Sequence, residues 1–328
     1  YEIMPSLVGS EMCIRDRVLI VAKAKKKGLK IFCVVLSVIL VFIIAVAAIE
    51  FWYYPKYKKT EKQPFDISSK AETDEITVMS ANVRCISPTD IGKKSWCYRA
   101  GLMIENVASV MPDVIGFQEV TKIHYAYLQD TLKGYDSVIE YRDNTYLSEG
   151  CPIFYSTEKF ELEDKGSFWL SETPEVMSKD WGAACYRVCS YVILKEKQTG
   201  KDFVVFNTHL DHISDEARIN GIRVVLDKIA QFGGKPSIIM GDFNAKENSE
   251  TYKMATENFN DAKYLTDNPD NSCTYQNFGK ALDRSCIDYF MVSKTGVTAQ
   301  SFEIVKNTYD GVYPSDHFPI AVTLTLTD

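Results

Sequence analysis

The strand-like runs of this chain end in polar residues that can do chemistry. Ser237–Met240 is followed by Gly241–Asn244 (GDFN), which places an acid and an amide two residues apart. Because side chains alternate along a strand, residues two apart point to the same side of a sheet. Three more apolar runs end in the same way, at Asn82, at Gln118-Glu119 and at Asn207-Thr208-His209. The pattern predicts a mixed α/β fold whose strand ends gather polar groups.

A similar group lies near the end of the chain. Ser315–His317 (SDH) precedes a last predicted strand, Phe318–Leu326, and Asp288 lies inside the strand-like run Cys286–Phe290. An acid beside a histidine offers a metal ligand and a base. Together with residues 241–244, these groups predict a site that hydrolyses a phosphate ester with a divalent cation.

Helical periodicity separates several of the strand-like runs. Apolar residues at helical spacing predict helices at 97–110, 123–132 and 215–232, whereas residues 135–194 are typical of several strands and loops. Strands mixed with helices, without an internal repeat, indicate two packed sheets with helices outside.

Six short motifs occur in an order that resembles the endonuclease/exonuclease/phosphatase superfamily. They are NV at Asn82, QE at Glu119, N-x-H at His209, GDFN at Asp242, IDY at Asp288 and SDH at His317. The match runs from about Glu75 to Leu326. The resemblance implies the α/β (α+β) class, as a four-layer α/β/β/α sandwich of two packed mixed sheets. It also implies a site at one edge, where strand ends and loops converge.

The resemblance implies which residues hold a metal. Glu119 would be the direct ligand, with Asn82 in the same shell and Asp316 on the metal side of the pocket. Hard oxygen ligands and only four histidines favour Mg²⁺, with Mn²⁺ as the alternative, over zinc.

The resemblance also implies a catalytic group. His317 would be the general base that activates or holds the attacking water, and Asp288 would orient its ring. Asp242 and Asn244 would position the water and a phosphate oxygen. His209 would donate to the phosphate or stabilise charge on the leaving oxygen.

Three further residues are candidates for substrate binding. Segments at Glu149–Tyr155 and Asn207–His212 are close to those of a bacterial branch of the superfamily. In that branch Glu149 and Arg187 would face the site, Arg187 as a bidentate phosphate clamp. A structural ion pair is the alternative for both residues, and Asp211 is either an additional substrate contact or plain surface.

Ile31–Ile49 is an apolar run of nineteen residues, interrupted only by Ser37 and long enough to cross a bilayer. Five lysines lie between Lys23 and Lys30, which predicts that this end stays cytoplasmic and the rest is exported. The aromatic residues 51–54 are typical of the outer interface. The alternative is a cleavable signal peptide, with small residues at Ala45–Ala47, and a secreted product.

The predicted organisation has five parts. Residues 1–17 are a sequencing-adapter artefact or a tail, 18–30 a basic cytoplasmic segment, 31–54 a transmembrane signal anchor, 55–74 a polar stalk and 75–328 the catalytic domain. Residues 75–328 contain seven cysteines, an odd number, so at least one is free or pairs between chains. The absence of a C-x-x-C pair makes a structural zinc site improbable.

The net charge of the predicted catalytic part indicates which class of substrate it can bind. Residues 1–63 carry 11 Lys and Arg against 5 Asp and Glu, whereas the rest carries 26 against 39, a net charge of −13. A domain that holds long nucleic acid usually carries a basic stripe. We therefore expect a membrane-anchored, outward-facing, Mg²⁺-dependent phosphoesterase whose substrate is a nucleic acid or a small phosphorylated metabolite. The alternatives are a sphingomyelinase-like phosphodiesterase acting on phospholipid headgroups and an inactive surface binding module. No protein partner is inferred.

Overall fold

The computed structural model describes residues 6–60, 64–267, 269–281 and 285–327, with the backbone alone for 6–16, 18–19, 22, 24 and 53–60. The first five residues of the predicted tail and residues 61–63 of the predicted stalk lie outside the described residues. The chain forms two compact units, with the boundary after Pro55. Helix α1 spans Ser6–Thr60. Its stretch Lys25–Trp52 is long and apolar enough to cross a membrane, a test that a signal sequence near an N-terminus also passes.

Among its described residues, the second unit contains four α-helices, two six-stranded mixed sheets and one two-stranded parallel pair, β1 with β4. The helices are α2 Trp96–Val110, α3 Lys122–Thr131, α4 Asp215–Ala230 and α5 Glu250–Asn258. The strands up to the middle of the chain are β1 Phe65–Asp66, β2 Ile76–Asn82, β3 Val114–Gln118, β4 Leu132–Lys133, β5 Tyr135–Val138, β6 Ile153–Ser156 and β7 Phe160–Trp169. The remaining strands are β8 Val188–Glu196, β9 Asp202–His209, β10 Ser237–Asp242, β11 Phe259–Asp261, β12 Asp288–Ser293, β13 Val297–Ile304 and β14 Ile320–Leu326.

The strand order gives each sheet one parallel pair at its centre. The first sheet runs β13-β14-β2-β3-β6-β5 and the second β11-β12-β10-β9-β8-β7. In the first sheet β2 and β3 are parallel, and in the second β9 and β10 are parallel. Because parallel strands end at the same edge, the carboxyl ends of all four strands carry the polar motifs to one side of their sheets.

Three apolar cores confirm the four-layer α/β/β/α sandwich. One core fills the space between the two sheets, with Val78, Phe203 and Phe290 fully buried. A second packs the outer face of the second sheet against α4 and α5. A third packs the outer face of the first sheet against α2 and α3. Each sheet thus buries both faces, as its nearly continuous apolar strands predict.

The sequence predicts three of the helices within a few residues, and α5 is missed. The segment assigned to a polar stalk is folded in part. Phe65–Asp66 pairs in parallel with β4, Ile67 is buried, and Lys70 Nζ lies 2.7 Å from Asp113 Oδ2. The isolated Ile67 among polar neighbours gives little periodic signal, so burial there is decided by tertiary contacts. The eight described cysteines are all unpaired.

Candidate active site

Asn82 stands at the centre of the converging strand ends. It is the last residue of β2 and is register partner to Gln118 on β3. Its side-chain nitrogen donates to Glu119 Oε1 at 3.0 Å and to Asp242 Oδ2 at 3.1 Å. Its oxygen accepts the backbone N–H of Arg84 at 2.9 Å. The amide therefore links carboxylates from both sheets.

Glu119 follows β3 with a φ of 62°, in the left-handed region that non-glycine residues rarely adopt. Its second oxygen accepts the Cys85 backbone N–H at 2.6 Å. Burial would raise the pKa of Glu119, but the hydrogen bonds from the Cys85 backbone and the Asn82 side chain favour the ionised form, and the pKa lies well below its ordinary value. Glu119 is therefore a partly buried, ionised carboxylate.

His317 is held between two acids. Its Nδ1 lies 3.0 Å from Asp288 Oδ2, and its Nε2 lies 3.7 Å from Asp242 Oδ2. Burial would lower the pKa of His317, but the two carboxylates outweigh it and raise the pKa well above its ordinary value. Burial and repulsion from Asp288 raise the pKa of Asp242 to about 7.

His209 and Asn244 lie on the other side of Asp242. Asn244 Nδ2 donates to the Leu210 carbonyl at 3.1 Å and lies 2.9 Å from His209 Nε2. The carbonyl contact fixes the amide orientation, so His209 Nε2 accepts in this arrangement. Burial, and then the nearby Arg187, lowers the pKa of His209 well below its ordinary value. His209 is therefore neutral, and donation from Nε2 would require a different tautomer.

Gly241 permits the close pairing that aligns Asp242 with His209. It has a φ of 142°, and an added Cβ would lie 1.9 Å from the Thr208 carbonyl oxygen on β9. No side chain fits there without moving the backbone of one of the two central strands. The glycine of the GDFN motif is thus required by backbone packing, and the acid after it by chemistry.

Two other motif residues tie the sheets together. Asn207 Nδ2 donates to the carbonyls of Phe117 and Pro152, both at 2.8 Å, and its oxygen accepts Gln118 Nε2 at 2.7 Å. A Cβ at Gly116 would lie 2.8 Å from the Asn207 side chain, so the two sheets come unusually close here. Gln118 and Asn207 are buried and hold the sheet edges in register.

Two arginines border a small pocket next to the carboxylates. Arg187 and Arg142 line it together with Glu119, Glu149 and His209. Arg142 donates to both oxygens of Glu149, at 2.8 and 2.9 Å. Arg187 is 5% exposed and its Nη2 lies 3.0 Å from His212 Nδ1. The structure thus brings the predicted residues Glu149 and Arg187 to the pocket.

Asp211 has a different environment from the other predicted substrate-binding residues. It is 2% exposed, and its two oxygens accept four backbone N–H groups, from Ala184, Cys185, Ile213 and Ser214. Its Oδ2 lies 3.8 Å from Arg187 Nε. These contacts fix two loops beside Arg187 and leave Asp211 little capacity to contact a substrate.

Two arginines at the site were not predicted from the sequence. Arg142 lies in a loop between β5 and β6 with no motif around it. Arg84, two residues after Asn82, places Nη1 3.4 Å from Asp316 Oδ2 and donates from Nε to Asp90 at 2.9 Å. The sequence feature that could have indicated Arg84 is its position just after the strand that ends at Asn82.

The donor chemistry fits a divalent cation. Asp242, Asp288 and Asp316 are buried at this edge and Glu119 is partly buried, and their oxygens are the hard ligands that Mg²⁺ prefers. The donor atoms of Asp242, Asp288 and His317 lie within 4.8 Å of one another. This trio differs from the predicted ligands Glu119, Asn82 and Asp316. In this trio, Asp288 and His317 already use one ligand atom each in the hydrogen bond between them, whereas the predicted ligand Glu119 takes no part in that bond.

The family model described as "Endonuclease/Exonuclease/phosphatase family" matches residues 79–317. The chain belongs to this family. The predicted membership is confirmed, and so is the prediction of an enzyme, a phosphoester hydrolase. Enzymes of this family depend on divalent metals, and the buried acids described above give the chain a candidate metal site.

Individual family members agree with this assignment. A mannosyl-6-phosphatase of Bacteroides thetaiotaomicron VPI-5482 is 33% identical with a TM-score of 0.72, over 76% of this chain and all of that one. An endonuclease/exonuclease/phosphatase family protein of Bacteroides thetaiotaomicron is 32% identical with a TM-score of 0.73, over 81% and 100%. The Ccr4 exoribonuclease subunit of the CCR4-Not complex of Schizosaccharomyces pombe is 23% identical over 56% of this chain and 35% of its own length. The chain thus spans about a third of that relative.

Proposed function

We propose that this chain is an Mg²⁺-dependent phosphomonoesterase that acts on a small phosphorylated molecule, with Mn²⁺ as the alternative ion. The observation that carries the proposal is the small pocket beside Glu119 and His209, into which the buried Arg187 brings a positive charge. A guanidinium at a pocket wall is a group that binds the oxygens of a terminal phosphate. The likeness to a mannosyl-6-phosphatase over that protein's full length supports the same substrate class.

A nuclease is the second candidate, because a Ccr4 exoribonuclease subunit is among the relatives. The negative charge of the catalytic part weighs against it. Residues after 63 carry 26 basic and 39 acidic residues, so the surface has little to offset the phosphates of a long strand.

We propose that Asp242 is the proton acceptor for the attacking water and that the positively charged His317 ring holds Asp242 in position. The pKa of Asp242, about 7, suits proton transfer at neutral pH. Asp288 accepts from Nδ1 of His317, which leaves Nε2 facing Asp242. Asn244 holds the His209 ring in place through its side-chain amide, and Glu149 and Arg187 bind the substrate.

Glu119, with Asn82 and Asp316, is proposed to hold the metal. The ion would supply Lewis-acid polarisation of a phosphoryl oxygen. Arg84 places its guanidinium against Asp316 and so keeps that carboxylate in position. His209 remains a predicted contact of the phosphate, and Asp211 is better suited to holding Arg187 in place.

We also propose that residues 31–54 anchor the enzyme in the membrane with the catalytic unit outside. The span Lys25–Trp52 and the lysines from Lys23 to Lys30 support that orientation. Secretion after cleavage is the alternative.

The test of function uses the full-length protein in detergent micelles with Mg²⁺, Mn²⁺ or EDTA. The substrates are sugar phosphates, nucleotide monophosphates, plasmid DNA, RNA and sphingomyelin. We expect release of phosphate from small monoesters that stops in EDTA. Cleavage of DNA or RNA without release from any monoester would overturn the proposal in favour of the nuclease.

A further inference from the structure

Arg142 and Arg187 reach one pocket from two different sheets. Arg142 follows β5 at the edge of the first sheet, and Arg187 immediately precedes β8 in the second. Both line the pocket that also contains Glu119 and His209. Two guanidinium groups on the walls of a small pocket form an arrangement suited to an anion with more than one charge.

Neither guanidinium has all its donors used within the protein. Arg142 uses Nη1 and Nη2 for Glu149, while its buried Nε lies 3.7 Å from Asp143 Oδ2 and has no hydrogen-bond partner among the described residues. The same holds for the buried Nε of Arg187, which lies 3.8 Å from the Asp211 carboxylate. Buried donors on charged groups are costly to leave unpaired, so hydrogen bonds within the protein do not use the full donor capacity of either arginine that lines the pocket.

The Arg142–Glu149 pair is not needed to hold its loop. The backbone N–H of Arg142 donates to the Glu149 carbonyl at 2.9 Å, and Tyr141 bridges to Gly150. The Trp169 indole N–H donates to the Arg142 carbonyl at 2.9 Å. The backbone of this loop is thus fixed by other bonds, and the side-chain pair is available to orient the guanidinium.

We propose that Arg142 is a further substrate-binding residue that selects phosphate monoesters over diesters. Arg142 and Arg187 together hold the doubly charged terminal phosphate, and Glu149 positions Arg142 by its bidentate contact. A terminal phosphate carries nearly two charges at neutral pH, whereas a diester carries one. This inference rests on the proposed phosphomonoesterase function and names the residue that gives it selectivity.

Binding of inorganic phosphate tests the arginine pair directly. Isothermal titration of the full-length protein in detergent micelles with EDTA compares wild type, Arg142→Gln and Arg142→Lys. The matched control is Arg223→Gln, on the exposed side of α4. We expect Arg142→Gln to raise the Kd for phosphate at least about tenfold, since a charge-assisted contact is lost. The Kd of Arg142→Lys should lie between those of wild type and Arg142→Gln, because lysine keeps the positive charge but loses the planar guanidinium that binds two oxygens at once.

Turnover tests the selectivity. With Mg²⁺ present, Arg142→Gln should lower kcat/KM for p-nitrophenyl phosphate about 10²-fold, with much less change for bis(p-nitrophenyl) phosphate. A phosphate Kd equal to that of wild type in both Arg142 variants, at unchanged thermal stability, would overturn the inference. So would a wild type that binds no phosphate. If wild type cleaves only the diester, both the proposed phosphomonoesterase function and the selectivity assigned to Arg142 are wrong. The phosphate titration would still show whether Arg142 and Arg187 bind phosphate.

Discussion

Asp242 and Asp288 are register partners on the adjacent antiparallel strands β10 and β12, so two buried carboxylates face each other. Like charges directly opposite each other destabilise a sheet. His317 contacts both acids, at 3.7 Å and 3.0 Å, and offsets that repulsion. The His317 ring is therefore a means by which this strand pairing tolerates two facing acids.

Replacing His317 with alanine should lower turnover by roughly 10²–10⁴-fold, because the proton acceptor Asp242 loses the charged ring that holds it in position. The rate is measured with the monoester found in the substrate panel, and circular dichroism checks that the variant is folded. A decrease of less than tenfold in a folded variant would remove His317 from this role.

Glu119→Gln should shift the metal titration. The variant loses one charged ligand, so the Mg²⁺ concentration for half-maximal activity should rise at least about tenfold. Glu161→Gln, an exposed acid on β7, is the matched control and should leave the titration unchanged. An unchanged titration for Glu119→Gln would assign the ligand role to another acid.

Gly241→Ala should be severely destabilising. The added Cβ meets the Thr208 carbonyl in a central strand pair, and we expect a loss of about 4 kcal/mol or more in the free energy of unfolding. Gly200→Ala is the control, because its φ is 72° and no atom lies within 4 Å of the added Cβ. It should cost about 1–2 kcal/mol. Equal urea midpoints for the two variants would contradict the steric explanation.

His124 should reduce stability in acid. Burial, and then Arg99, lowers the pKa of its ring from 6.5 to about 3 in the folded protein. Between these values the unfolded chain binds more protons than the folded one, so stability decreases as pH falls, by about 1.4 kcal/mol per pH unit. His124→Gln keeps an acceptor for the Thr121 N–H at the start of α3. When urea unfolding is measured from pH 7 to pH 4, the free energy of unfolding should decrease less for this variant than for wild type.

A fragment that begins at Lys56 should be soluble and as active as the full-length protein. The boundary of the two compact units falls after Pro55, and the apolar span lies before it. Sedimentation and the monoester assay measure the outcome. Aggregation of the fragment would indicate that residues 31–49 contribute to folding of the catalytic unit.

The sequence predicts those parts of the site that lie at strand ends. Asn82, Glu119, His209 and Asp242 each close an apolar run, and the sheet order brings these ends to one edge. The alternation of apolar and polar residues identifies each of these strand ends from a few neighbouring residues. The order of the motifs along the chain then indicates that the strand ends belong to one site.

The parts that the sequence does not predict depend on distant contacts. Arg142 reaches the pocket from a loop with no periodicity, and its partner Glu149 was assigned only by resemblance. Phe65–Asp66 becomes a strand only because β4 offers an open edge. Helix α5 has nine residues with two buried ones, Thr251 and Ala255, too short a stripe for a clear helical period.

Glu119 and Asn244 both adopt left-handed backbone conformations, with φ of 62° and 48°. Glycine would hold either position with less strain, yet it would remove the carboxylate or the amide. Laboratory evolution of this protein for heat resistance alone should therefore replace these two residues early. A screen that retains only heat-stable clones would enrich folded proteins that have lost turnover.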